Sequence, residues 1–241
     1  NKVNGTDAND AGGAVFTNEW INIDNSSFIN NTALNGSGGA VYANNTVTIV
    51  NGSEFINNTA KSGGAVTSAL GNITVNDTEF VNNTATSGNG GALNSVTDEV
   101  FVNNTKFDNN NATNGLGGAI YGKTNVTAIN TTFTNNTAGT AGGAIYSDGK
   151  VNANNLNFIN NTATKGSGGA IYSNENINLS NTTFTNNMAN ATGGAIFTNG
   201  TVLTTNVTFI NNTAGIQGGA IFANKNITLV NSTFTGNNVN G

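Results

Sequence analysis

Apolar and polar residues alternate in this chain over short stretches that then stop. Ile177 and Leu179 alternate with Asn176 and Asn178, and Ile227 and Leu229 repeat the arrangement further along. A period of two places the apolar side chains on one face of a β-strand and excludes an amphipathic helix. Upstream of such a stretch stands a Gly-Gly-Ala-aliphatic run, as in Gly168-Gly169-Ala170-Ile171. It returns nine times, with first glycines at Gly12, Gly38, Gly63, Gly90, Gly117, Gly142, Gly168, Gly193 and Gly218. Self-similarity with a period of 25 to 27 residues marks a solenoid, in which each coil packs on its neighbours.

A phenylalanine follows each first glycine by 16 or 17 residues: Phe28, Phe55, Phe80, Phe107, Phe133, Phe158, Phe184, Phe209 and Phe234. Three residues after each stands an asparagine: Asn31, Asn58, Asn83, Asn110, Asn136, Asn161, Asn187, Asn212 and Asn237. Two further on comes Ala, from Ala33 to Ala214, with Val239 in the last copy. We expect the aliphatic and Phe registers to point inward and the Asn register to bond backbone and the Asn one rung away.

Three residues before each Phe lies Asn, Asp or Gly, from Asn25 to Asn231, which tolerate positive φ and mark a corner. A second corner follows the Gly-Gly-Ala strand (Ser147-Asp148-Gly149-Lys150), and a third runs from Asn-Asn-Thr-Ala to the next Gly-Gly. The expectation is an all-β parallel β-helix of about nine coils, with three short strands per coil and a length on the order of 40 Å. Residues 1–241 read as one solenoid domain, with a partial coil over 1–11 and repeats over 12–241, and as a piece of a longer protein. Length varies mostly at the third corner, where specificity is expected to collect.

Composition narrows the function. Charged residues are 8%, net charge is -5, and there is no Cys, His or Pro. All seven basic residues are lysines. Thiol chemistry, His-based catalysis and bidentate Arg recognition of phosphate are therefore absent, and the negative balance argues against nucleic acid as a partner. No run is apolar enough for direct membrane insertion. We expect no cofactor, no metal site and no catalytic residue. Missing proline fits a chain whose segments nearly all donate to a ladder.

Some side chains are candidates for chemistry. Glu54 and Glu79 hold the same place in successive copies, and Lys106 continues it. Two carboxylates one rung apart resemble the pair of a retaining glycosidase, but the register is expected to face solvent as a side-chain ladder with a Glu-Lys contact. Asp98-Glu99 has no recognisable partner, and Asp7-Ala8-Asn9-Asp10 lacks the spacing of a calcium loop and reads as a turn. After the aliphatic register come Tyr121, Tyr146, Tyr172, Phe197 and Phe222. Under strict alternation these rings lie outside as a binding stripe suited to sugar rings or a partner; Thr67 and Asn94 in the same register suggest a wet place. Asn-x-Thr triplets such as Asn57-Asn58-Thr59 abound through composition, and an asparagine in the buried register could not carry a glycan after folding.

Tandem Gly-Gly-Ala-aliphatic and Phe-x-x-Asn motifs, as in Gly168-Gly169-Ala170-Ile171 and Phe184-Thr185-Asn186-Asn187, resemble the repeats of chlamydial polymorphic membrane proteins. The Asn- and Thr-rich filling resembles the adhesin-like surface proteins of methanogenic archaea. The resemblance spans Gly12 to Asn238 and implies a right-handed parallel β-helix displayed at the cell surface and used in adhesion, with a cell-surface glycan or protein, or copies of itself, as partner. It singles out no ligand-contacting residue. The alternatives are a filament-forming subunit and a polysaccharide-active enzyme, since fold alone does not fix function.

Overall fold

The computed structural model describes residues 1–3 and 10–240. They form a parallel β-solenoid of four sheets, with no helix among the described residues. Each coil contributes one strand to each sheet, and neighbouring coils pair in parallel, so like residues face like: Phe80 pairs with Phe107, Ile120 with Ile145 and Ala138 with Ala163. Following the chain, the first sheet holds three-residue strands after Gly-Gly-Ala (Ile145–Ser147) and the second four-residue strands of alternating pattern (Val151–Asn154). The third holds the Phe strands (Asn157–Ile159), and the fourth is a row of mostly two-residue Thr-Ala strands (Thr162–Ala163).

The expected three strands per coil thus become four. The extra bend comes from the residue two after each Phe, asparagine in eight coils and Gly236 in the last, which takes a left-handed conformation, as at Asn135 (φ 55°) and Asn160 (φ 55°). It turns the chain directly after the Phe strand, and Thr-Ala starts a new sheet where a corner was expected. The expected corner before each Phe is also left-handed throughout, from Asn25 (φ 43°) through Gly52 (φ 75°) to Asn231 (φ 47°).

The glycine pair is fixed by contact as well as conformation. Gly142 has φ 66°, and a Cβ there would stand 2.3 Å from the Ile145 carbonyl oxygen. At Gly143 a Cβ would stand 1.9 Å from the Gly169 oxygen and 2.6 Å from the Thr162 nitrogen. The first position needs the conformation, the second the close approach of the next coil.

Inside, seven phenylalanines from Phe55 to Phe209 are fully buried, and neighbouring rings in the column stack at 4.7 to 5.0 Å between centroids. That separation suits offset aromatic pairs and matches the rung spacing, so one repeat satisfies backbone and ring together. Size is balanced at two places along the core. Where the alternating strand offers Ala153 in a register mostly held by Ile, Val or Leu, Leu156 fills the place usually taken by Ser or Thr. Thr204 and Val207 make the same exchange, with the Thr204 hydroxyl 2.8 Å from that of Ser232. A conserved volume is what a close-packed interior requires.

Candidate functional site

The asparagine ladder adopts its expected role, with every polar hydrogen engaged. The Asn136 backbone N–H and Nδ2 both donate to Asn161 Oδ1 at 3.0 Å, and a second Nδ2 hydrogen reaches the Phe107 carbonyl at 3.1 Å. Asn161 repeats this with Asn187 and the Phe133 carbonyl. Asn58 through Asn212 have no exposed surface. A buried amide with both donors and its acceptor satisfied is cohesive rather than reactive, so these residues hold the rod together.

The aromatic row Tyr121, Tyr146, Tyr172, Phe197 and Phe222 lies on the outer face, outside the main core cluster. Its rings bend over the third corner, where Leu116 and Ala141 pack against them, leaving Tyr121 and Tyr146 each only 9% exposed. Neighbouring rings stack on one another, with centroids 5.6, 4.8, 4.6 and 5.4 Å apart and planes within 18°. Inner ring faces are therefore occupied, and along its length the row presents edges and tyrosine hydroxyls rather than open faces. Thr67 and Asn94, expected in a wet place, are buried at 1% and 5% exposure. They separate the five rings from the stacked pair Phe16 and Tyr42.

The hydroxyls converge on Asp148, read from the sequence only as a corner residue. Tyr121 donates to Asp148 Oδ2 at 3.1 Å and Tyr146 to Oδ1 at 3.2 Å. Lys123 Nζ reaches Oδ2 at 2.8 Å, and Asn174 Nδ2 donates to Oδ1 at 2.8 Å. Lys123 and Asp148 occupy the same register one coil apart, a signal present in the sequence. Burial, then the Asp148 charge, raises the Tyr121 hydroxyl above the ordinary range and pushes Tyr146 to about 12. Burial also raises Tyr172. At Asp148 burial acts upward, but the hydrogen bonds from Lys123, Tyr121 and Asn174 together with the Lys123 charge outweigh it and lower the carboxyl. The network is a polar clasp over three coils.

Glu54, Glu79 and Lys106 stand in one register on the Phe sheet, as expected, and with Asp77 line a shallow groove of about 530 Å³. The ion pair of Lys106 is made with Asp108 on its own strand, at 3.9 Å, and so replaces the expected Glu-Lys contact. Ser27 donates weakly to Glu54 at 3.5 Å. Such exposed contacts contribute little. Glu99 accepts a hydrogen bond from Asn125 at 2.7 Å, and Asp98 Oδ1 accepts from the Glu99 backbone N–H. The Asp7-Ala8-Asn9-Asp10 turn falls largely outside the described residues. Among those described, no three or more His, Cys, Asp or Glu side chains gather to hold a metal, and no helix is long and apolar enough to cross a membrane.

A long parallel solenoid whose internal columns are structural and whose polar clusters tie coil to coil belongs to the class of solenoid repeat proteins, in which each coil packs on its neighbours. The model of the Chlamydia polymorphic membrane protein repeat matches residues 25–44, 100–123, 130–148, 155–174, 181–199 and 206–224, and the chain belongs to this repeat family. Most matched segments begin at the corner before Phe and end just after the Gly-Gly-Ala strand, so they carry the Phe, Asn and glycine columns. No curated protein and no solved structure matches the chain.

Proposed function

We propose that the chain is a rigid extracellular segment of an adhesin-like surface protein, presenting its long faces to a glycan or protein on another surface. Membership in the polymorphic membrane protein repeat family carries this reading. Continuous Phe and Asn columns favour rigidity along the axis, and a surface with few charges suits contacts that salt screens little. The Asn- and Thr-rich filling extends the likeness to archaeal adhesin-like proteins. Contact is assigned to the aromatic row, through ring edges and hydroxyls, together with the third corner, where two to four residues separate Ala from the next Gly.

The test is binding of the purified chain to a glycan array and to intact cells, with Tyr172→Ala and Tyr146→Ala as paired controls. Saturable binding weakened by the variants supports the reading. An absence of saturable binding to every glycan and cell overturns adhesion by this segment and leaves a spacer.

A further inference from the structure

The abundance of Asn-x-Thr triplets makes them uninformative in the sequence, but the fold sorts them. In each Phe-x-Asn-Asn copy the second asparagine is the buried ladder residue, and the residue two beyond it is the buried Ala; in the last coil, where Gly236 precedes the ladder Asn237, that residue is Val239. No ladder asparagine is therefore an acceptor triplet. The first asparagine, by contrast, stands at the left-handed corner between the Phe and Thr-Ala sheets and is exposed. In six coils it heads Asn-Asn-Thr: Asn30, Asn57, Asn82, Asn135, Asn160 and Asn211.

Side-chain bonding separates these sites further. The amides of Asn30, Asn57, Asn82 and Asn211 make no side-chain hydrogen bond among the described residues, as is true also of Asn25, Asn190, Asn226 and Asn231 away from this corner, whereas several other triplet asparagines are tied to neighbouring coils. Asn130 donates to Asn103 at 3.2 Å, and Asn206 donates to Asn181 at 3.3 Å. Modification of a tied amide would disturb a rung-to-rung contact, but modification of a free one disturbs none. The threonine two residues on starts the Thr-Ala strand with a half-buried side chain, so it is held beside the corner.

We propose that this corner is an N-glycan acceptor edge, running the length of the rod and leaving the aromatic row on another face free. In the transfer the amide nitrogen of asparagine loses one proton and forms a bond to the anomeric carbon of a lipid-linked oligosaccharide. The bond from that carbon to the phosphate oxygen breaks, and the isoprenoid phosphate or pyrophosphate leaves. Rungs stand about 4.8 Å apart, so glycans on adjacent rungs press on one another and the folded chain carries them on alternate rungs. Asn211 is isolated, because the flanking coils offer Asn186 followed by Asn187-Met188 and then Gly236. Asn57 lies between two competitors, Asn30 and Asn82. Occupancy should therefore be highest at Asn211 and lower at Asn57 than at Asn30 or Asn82.

The proposal rests on extracellular display, and the experiment separates the two. The chain is expressed behind a secretory leader in cells with N-glycosylation, and the folded fraction is isolated. Glycosylated asparagines are then converted by peptide N-glycosidase in heavy-oxygen water and mapped by mass spectrometry. Label at Asn211, lost in Thr213→Val with an unchanged melting temperature, is the expected result. A folded chain without label at Asn211, or label spread equally over the tied Asn130 and Asn206, overturns the acceptor edge. Because the leader supplies the compartment, neither result depends on where the native chain resides; antibody access to intact native cells tests display independently.

Discussion

Two aromatic columns run along this rod, one inside and one outside, and they differ in what depends on them. The inner Phe column continues from Phe28 to Phe234, with the Asn column beside it bonding each coil to the next. The outer row is broken at Thr67 and Asn94, and only the stretch from Tyr121 to Tyr172 is clasped by Asp148 and Asn174 or covered by corner residues. A position that every coil needs shows no exception, whereas one that only some coils need varies. The inner columns should therefore set stability and the outer row local order.

The largest effect expected is for Asn161→Ala. It leaves the Asn136 backbone N–H and one Asn136 Nδ2 hydrogen without partners and removes the side-chain donor to the Phe133 carbonyl. Each buried orphan costs about 1–3 kcal/mol, so a total of several kcal/mol is expected. Because a solenoid loses coils locally, hydrogen exchange is the suitable measure: amides of the neighbouring coils should lose protection before distant ones. Uniform, unchanged protection would show that the ladder is dispensable.

These inner columns were legible because nine copies state them, with Phe158 and Asn161 reappearing at fixed spacing in every coil. The fourth strand was not, since Thr162–Ala163 is too short for alternation to show, and the turn residue Asn160 hides beside Asn161 in one Asn-Asn pair. The outward direction of the aromatic row followed from alternation. Its folding over Leu116 and Ala141 did not, because that depends on how the third corner closes. The Asp148 clasp was missed because the acid and its lysine each occur in one copy only, in a register held by Asn in most other coils, as at Asn174, Asn199 and Asn224.

A smaller effect is expected from the outer row. Phe158→Ala removes a fully buried ring and should cost about 3–5 kcal/mol. Tyr146→Ala empties a place outside the main core and breaks stacks worth about 0.5–1.5 kcal/mol each, so its total should fall well below that of Phe158→Ala. Denaturant unfolding of the two variants side by side decides the comparison. Equal losses would make the outer row a second core and would remove the reason to read it as a contact surface.

The smallest effect is electrostatic, and its two signs can be separated. The tyrosines of the clasp are raised, with Tyr146 near 12, so the folded state retains protons that the unfolded chain releases from about pH 10. Their contribution is whole below the unfolded value and is lost as pH rises through the folded one. Asp148 is lowered, so its contribution is present above the ordinary value of 3.8 and is lost as pH falls through the lower folded value. Melting curves across both ranges should therefore fall at each end. In Asp148→Asn the acid component should disappear, while the alkaline loss persists in reduced form, because burial, the first cause of the tyrosine shifts, remains. An alkaline limb that vanishes in this variant would instead place the whole shift on the Asp148 charge and show that water reaches the rings.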